Sequence, residues 1–352
     1  MMIKSDNYLA HNGNKLDVLK LVLAVLIVGI HSSTPGMVLR PVLRLAVPLF
    51  FIISAYLFFG KQRALPSRSA RKRGLLKYGR RILLLYSFWF VLLLPLTADL
   101  RQWDVDFGFG TVIEILRCFL FSSTFIASWF LMASLLGVAL VWLLASLKVK
   151  DRWILVIGSI LYAACCLCSS YYGVFSRFPG VVNAYEAYTA IFSSPFNSFP
   201  CAVLFVAIGK ILAERSLWVS NKMLIASLAV SLVMLYAEFF YTGGCLKVVS
   251  DDCYFMLPAV STCIFMLIGQ SKPCHFDLDT KKLRAASTII YCSHGTLLWW
   301  LHKRLVAMGI DAGASMSLLF MFTMTLFITL VLSHIILTLE KRQGLRWLKY
   351  SH

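Results

Sequence analysis

Apolar stretches long enough to cross a bilayer recur along the whole chain, and nothing else constrains its fold as strongly. A bilayer core offers no water to backbone N–H and C=O groups, so a chain that crosses it repeatedly must do so as helices. Each crossing needs about 20 mostly apolar residues. Ten such runs fall near residues 16–34, 45–60, 82–98, 127–147, 153–170, 199–213, 223–242, 254–270, 287–306 and 316–339. Composition agrees, with 59% of residues hydrophobic and only 14% charged. The expected fold class is therefore all-α: a polytopic integral-membrane helical bundle of about ten transmembrane helices. It forms one domain over residues 1–352, with no internal repeat. The first apolar run is long enough to span and lacks a small-residue cleavage site, so no cleavable signal peptide is expected.

The net charge of +18 raises nucleic acid as a partner, and the distribution of that charge argues against it. With the N-terminus inside, roughly three-quarters of the 34 Lys and Arg fall on the cytoplasmic side, as the positive-inside rule requires. An even number of spans then puts both termini in the cytoplasm. The densest basic stretch is an expected cytoplasmic loop over residues 61–81, and a short basic tail covers 340–352. The loop either anchors topology on anionic headgroups or holds a polyanionic ligand through Arg forks. It lacks the interleaved aromatics of a single-strand binder. Ten cysteines follow no metal-ligand spacing. Cys165, Cys166 and Cys168 lie within a span as small packing residues. Cys245 and Cys253 share an outer loop, where a bridge is open to them without being fixed by spacing.

Ionisable side chains inside a bilayer are costly and face a protein interior or a water-filled cavity. The first span carries Asp17, Lys20 and His31 in an otherwise apolar stretch. At about 100° per residue, Lys20 and His31 lie roughly 20° apart around the helix and about 16 Å apart along it, with Asp17 on the same side. Imidazole titrates near neutrality, so His31 can take a proton from a hydroxyl and return it. It can equally be satisfied by a neighbouring helix. Arg44 opens the second span, placed either to snorkel to headgroups or to point inward and hold an anion or a developing oxyanion. Ser54, in the same span, suits helix packing. Trp129 suits an interfacial aromatic. Glu238 and His294 are further intramembrane ionisable groups. The segment 111–125 carries Glu114 and Arg117 and is too short and charged for a secure span, so it lies in the interface or re-enters.

Five segments in order resemble the acyltransferase type 3 family of integral-membrane acyltransferases. LDVLKLVLAVLIVGIHSS is similar to the family's first helix, with a basic residue, ten intervening positions and a His. RLAVPLFFIISAYLFF is the most specific match. SWFLMASLLGVAL, FPCAVLFVAIGKIL and STIIYCSHGTLLWW resemble three later segments, and the likeness runs from about Lys15 to Trp347. It implies that His31 is the catalytic histidine, either base or transient acyl carrier, grouped with Arg44 and Asp17. It implies that Lys20, Lys77, Arg80 and Arg81 bind the donor. Ser54, Trp129, Glu238 and His294 are other candidates. Lys20 and Lys77 stand where Arg is more usual, Ala55 where Gly is customary, and Gly295 where Pro is common. The implied activity is transfer of an acetyl or other short acyl group from cytoplasmic acetyl-CoA to a hydroxyl of a surface polysaccharide or lipid-linked glycan, in the cell inner membrane and without a metal. The partners implied are the bilayer, acyl-CoA and a glycan acceptor. The rival is a transporter or flippase of a lipid-linked or anionic sugar, with His31, Glu238 and His294 as a proton relay.

Overall fold

The computed structural model describes residues 8–32, 36–103, 108–215, 217–272 and 279–352. Among them the chain is all-helical, with no strand. In chain order the helices are α1 (Tyr8–His31), α2 (Gly36–Leu43), α3 (Ala46–Arg63), α4 (Arg68–Arg101), α5 (Phe109–Phe121), α6 (Trp129–Ser146), α7 (Asp151–Cys168), α8 (Tyr172–Phe175), α9 (Pro179–Phe192), α10 (Phe199–Glu214), α11 (Asn221–Cys245), α12 (Leu257–Gln270), α13 (Thr280–Ala307) and α14 (Ser315–Leu339). Each of the ten expected runs falls mainly within one of the long helices. Ser33 and Thr34, the end of the first run, lie outside the described residues. Seven helical stretches among the described residues are long and apolar enough to cross a membrane. α1 and α13 are not among them. α1 carries Lys15, Asp17 and Lys20, and α13 is rich in Ser, Thr and His. These two helices need protein around them, and they bear the site.

α10 is the centre of the bundle, buried almost continuously from Pro200 to Lys210. It packs on α3, α6 and α7. A Cβ on Gly209 would meet the Ile52 carbonyl oxygen at 2.6 Å and Ala55 Cβ at 2.7 Å. Small residues on both sides therefore let the backbones of α3 and α10 close together, which is how helices associate where lipid removes the hydrophobic drive. Ala55, the residue that departs from the family's Gly, still fits. At the base of α10, Lys210 is 5% exposed. It donates to Asp151 at 2.9 Å and to Glu214 at 2.6 Å, tying α7 to α10.

Locally the structure departs from or adds to the apolar-run reading. Residues 61–81 are not a loop: α3 runs through Arg63, and α4 begins at Arg68, with the Ser67 hydroxyl accepting from Ala70 N–H at 3.1 Å. Residues 171–200, between the fifth and sixth apolar runs, hold α8, α9 and a short 3-10 turn. α9 packs on α5 through Phe121 and Phe192, whose rings are 5.1 Å apart. Cys253 does not face Cys245. Cys245 is exposed, whereas Cys253 is buried with its Sγ 3.7 Å from that of Cys201.

Candidate active site

α1 and α13 run parallel and in register. Asn14 accepts from the Thr280 hydroxyl at 3.0 Å. Farther along, Asp17 faces Arg284 at 3.6 Å, and then His31 faces His294 with ring centroids 5.1 Å apart. Between these rungs Ala24, Val28 and Ile290 form a dry packed cluster. Each helix thus carries a basic residue near one end and a histidine farther on, Lys20 before His31 and Arg284 before His294. At 1.5 Å per residue the two ends are about 15–16 Å apart.

At the first end, Asp17 is 7% exposed and pairs with Lys20 and Arg284, both at 3.6 Å. The charges of Arg81 and Arg284 reach Lys20. Arg81 and Arg284 also line a cleft of about 190 Å³ together with Lys281, Lys282, Glu340 and His352. This is a concentration of cations around one shared carboxylate. Asp17 lies 14 residues from His31, about 21 Å along the helix. It therefore does not touch the imidazole directly, and it pairs with Lys20 and Arg284. Lys77 and Arg80 are exposed on α4.

At the second end, His294 is fully buried. Its Nδ1 lies 2.7 Å from the Tyr291 carbonyl. A carbonyl only accepts, so Nδ1 carries the proton and Nε2 is an acceptor. That Nε2 is buried with no partner. His31 is exposed, unlike His294, and its ring meets α13 through His294. The segment beneath them is braced: Tyr291 donates to the Ala127 carbonyl, and Trp129 N–H donates to Ser123 Oγ at 3.0 Å. Trp129 itself is half-buried, with its ring 6.2 Å from Phe51. Ser54 is half-buried in the middle of α3.

Arg44 points inward, as one of its two sequence readings required, but it is not a free cation. Its guanidinium pairs with Asp251 and Asp252, and Arg40 pairs with Asp251. Arg44 Nε is buried without an acceptor, and the Arg44 charge is felt at His31. Glu238 does not join the histidines. It accepts from the Phe255 and Met256 N–H groups at 2.6 and 3.0 Å and from Tyr171 at 3.1 Å, capping the approach to α12. His334 is exposed on α14. Among the described residues no group of three or more His, Cys, Asp and Glu is placed to hold a metal ion. Arg284, Asp251 and Asp252 were missed in the sequence. Arg284 had a signal: it precedes His294 at nearly the spacing by which Lys20 precedes His31. The aspartates had none, because their partners are some 200 residues away.

Comparison with known proteins gives the same family as the sequence motifs. An amino-acid racemase of Enterococcus faecalis is 24% identical over 308 residues, 83% of this chain and 42% of that protein. A serine/alanine racemase of Enterococcus gallinarum is 24% identical over 267 residues, 73% of this chain and 37% of that protein. The chain spans less than half the length of these curated relatives. No solved structure matches it. The acyltransferase domain family matches residues 14–336, nearly all of the chain, and the protein belongs to that type 3 acyltransferase family.

Proposed function

We propose that the protein is a membrane O-acyltransferase that moves a short acyl group, acetyl foremost, from acyl-CoA to a hydroxyl of a surface polysaccharide or lipid-linked glycan. The observation that carries this reading is the α1–α13 seam, with clustered cations at one end and paired histidines at the other. In this reading the cationic end is cytoplasmic. The donor's phosphates rest against Lys20, Arg81 and Arg284, with Lys281 and Lys282 at the rim. The pantetheine arm passes outside the packed Ala24, Val28 and Ile290 cluster to bring the thioester to His31.

The acceptor hydroxyl attacks the thioester carbonyl while His31 takes its proton. A C–O bond forms, and negative charge gathers on the carbonyl oxygen. Arg44, neutralised by Asp251 and Asp252, still offers a buried Nε–H with no acceptor among the described residues, a donor for charge that develops at that end. Collapse breaks the C–S bond, and the CoA thiolate recovers the proton from the imidazolium. The carrier reading predicts instead an acyl group on His31 before acceptor arrives.

Transfer of labelled acetyl from acetyl-CoA by the full chain in vesicles tests the proposal. His31→Ala is expected to insert normally and to lose on the order of 10²–10⁴ in rate. Near-normal transfer by that variant would remove His31 from the chemistry. Comparing ester-linked acetate on surface glycans with and without the protein tests the acceptor class. The acyltransferase reading is favoured over the rival transporter because Glu238 accepts from backbone N–H groups before α12 and does not face the histidines.

A further inference from the structure

A second basic cleft, of about 540 Å³, opens where α3 and α6 end and α4 begins. It is lined by Arg63, Arg68, Arg71 and Lys148, with Phe59 and Trp142 as its apolar wall. It is separate from the seam. On α4, Lys77 lies about 180° around the helix from Arg68, and Arg81 about 140° from it. Accordingly Arg81 lines the small cleft beside α13, and Arg68 and Arg71 line this one.

The cleft is rich in unneutralised cations. Its one acidic residue, Glu214, is paired with buried Lys210. Among the described residues none of Arg63, Arg68, Arg71 and Lys148 forms an ion pair, although Arg215 and Lys210 nearby both do. The wall is also built, not merely bare. Gln62, 6% exposed, donates through Nε2 to the Arg71 carbonyl at 3.2 Å, and its Oε1 is buried with no partner. A Cβ on Gly74 would meet Gln62 Nε2 at 2.6 Å, so glycine lets α4 lie against that amide without moving it. Arg71 Nε donates to the Leu65 carbonyl at 3.4 Å, holding the linker between α3 and α4.

We propose that this cleft binds a phosphate ester, at a site distinct from the donor seam. Three guanidinium forks match phosphate oxygens bidentately. A bare phosphate would leave most of the space empty, and 540 Å³ lies within the range of small-molecule pockets. Phe59 and Trp142 give the ester's organic part a surface to lie on. A nucleotide and an anionic phospholipid headgroup share this chemistry.

The test uses the full chain in nanodiscs. Radiolabelled ADP is titrated in discs of phosphatidylcholine alone. Retention of phosphatidylglycerol is read by native mass spectrometry from mixed discs. Saturable binding of either probe, one per chain, is expected. ADP binding identifies a nucleotide site, and retention of phosphatidylglycerol without ADP binding identifies a headgroup site. Replacing Arg63, Arg68 and Arg71 with Gln should weaken binding on the order of 10³-fold, since each charged hydrogen bond is worth about a factor of ten. Arg63→Gln alone should cost about tenfold and guards against misfolding of the triple variant. Replacing Lys222, Arg346 and Lys349 with Gln removes equal charge elsewhere and should change nothing. Lys20→Met should leave this binding intact even though it weakens the donor site. Binding of neither probe, undiminished binding in the triple variant, or equal loss in Lys20→Met would overturn the proposal.

Discussion

His294 shows most directly how a single side chain can set up another. Its Nδ1–H is held by the Tyr291 carbonyl, and its buried Nε2 is an unpartnered acceptor beside the His31 ring. In the proposed mechanism, a rotation that let His31 donate one N–H to it would fix the His31 tautomer and leave the other nitrogen to act as base. His294→Ala is therefore expected to lower kcat on the order of 10²-fold with the donor KM unchanged. His294→Gln, whose amide oxygen can accept in the same place, should recover part of that loss. Steady-state kinetics separate the outcomes: a raised donor KM with unchanged kcat would make His294 a packing residue. Asp17 is the complementary case at the other end of the seam. It is the shared counter-ion of Lys20 and Arg284. Asp17→Asn leaves two neighbouring cations without it, and should destabilise the ligand-free protein by about 1–3 kcal/mol. If donor phosphates meet those cations, CoA must raise Tm more in Asp17→Asn than in wild type, because ligand then supplies the missing anion. Equal shifts in thermal melts would separate the seam from donor binding.

At the level of elements, the sequence identified helices well and their partners poorly. Apolar run length located ten of the helices, since spanning demands both length and apolarity. It misassigned α4, because charged residues end a hydrophobic run without ending a helix: Arg68 to Arg81 continue the same hydrogen-bonded rod. It left α9 unassigned because that helix is short and lies between polar segments. The pairing of α1 with α13 was invisible in either helix alone, although the repeated basic-residue-to-histidine spacing carried it. The link between α3 and the 246–256 segment, made by Arg44 with Asp251 and Asp252, is likewise long-range. Burial works against the Asp251 charge, and Arg40 and Arg44 outweigh it, holding its carboxyl below the usual range. Such a depressed group adds stability above its unfolded pKa, about 3.9, and loses it only as pH falls through the lower folded value. The latch is therefore fully formed at pH 5 and at pH 8. Asp251→Asn should lower Tm equally at both, and a penalty seen only at pH 8 would contradict the ion pairing.

Taken whole, the molecule is polarised, and its proposed chemistry depends on which way it faces. One end gathers the basic residues of α4, the start of α13 and both clefts, and the other holds the histidines' open side, the Arg44 latch and the paired helices α5 and α9. Charge asymmetry orients a membrane protein with its basic end inside, and acyl-CoA is a cytoplasmic metabolite, so the two arguments must agree or both fail. Cys245 provides a native reporter. It is exposed at the end of α11, at the opposite end from Lys222 and the basic surface, whereas Cys118, Cys165, Cys166, Cys168, Cys201, Cys253 and Cys292 are buried. In intact cells expressing a variant with Cys263 and Cys274 changed to Ser, a membrane-impermeant maleimide should label Cys245. Adding Arg68→Cys to a Cys245→Ser version should give labelling only after permeabilisation. The reverse pattern would place the cationic end of the seam outside, away from acyl-CoA, and would remove the donor route through Lys20 and Arg284 while leaving the fold and the family membership untouched.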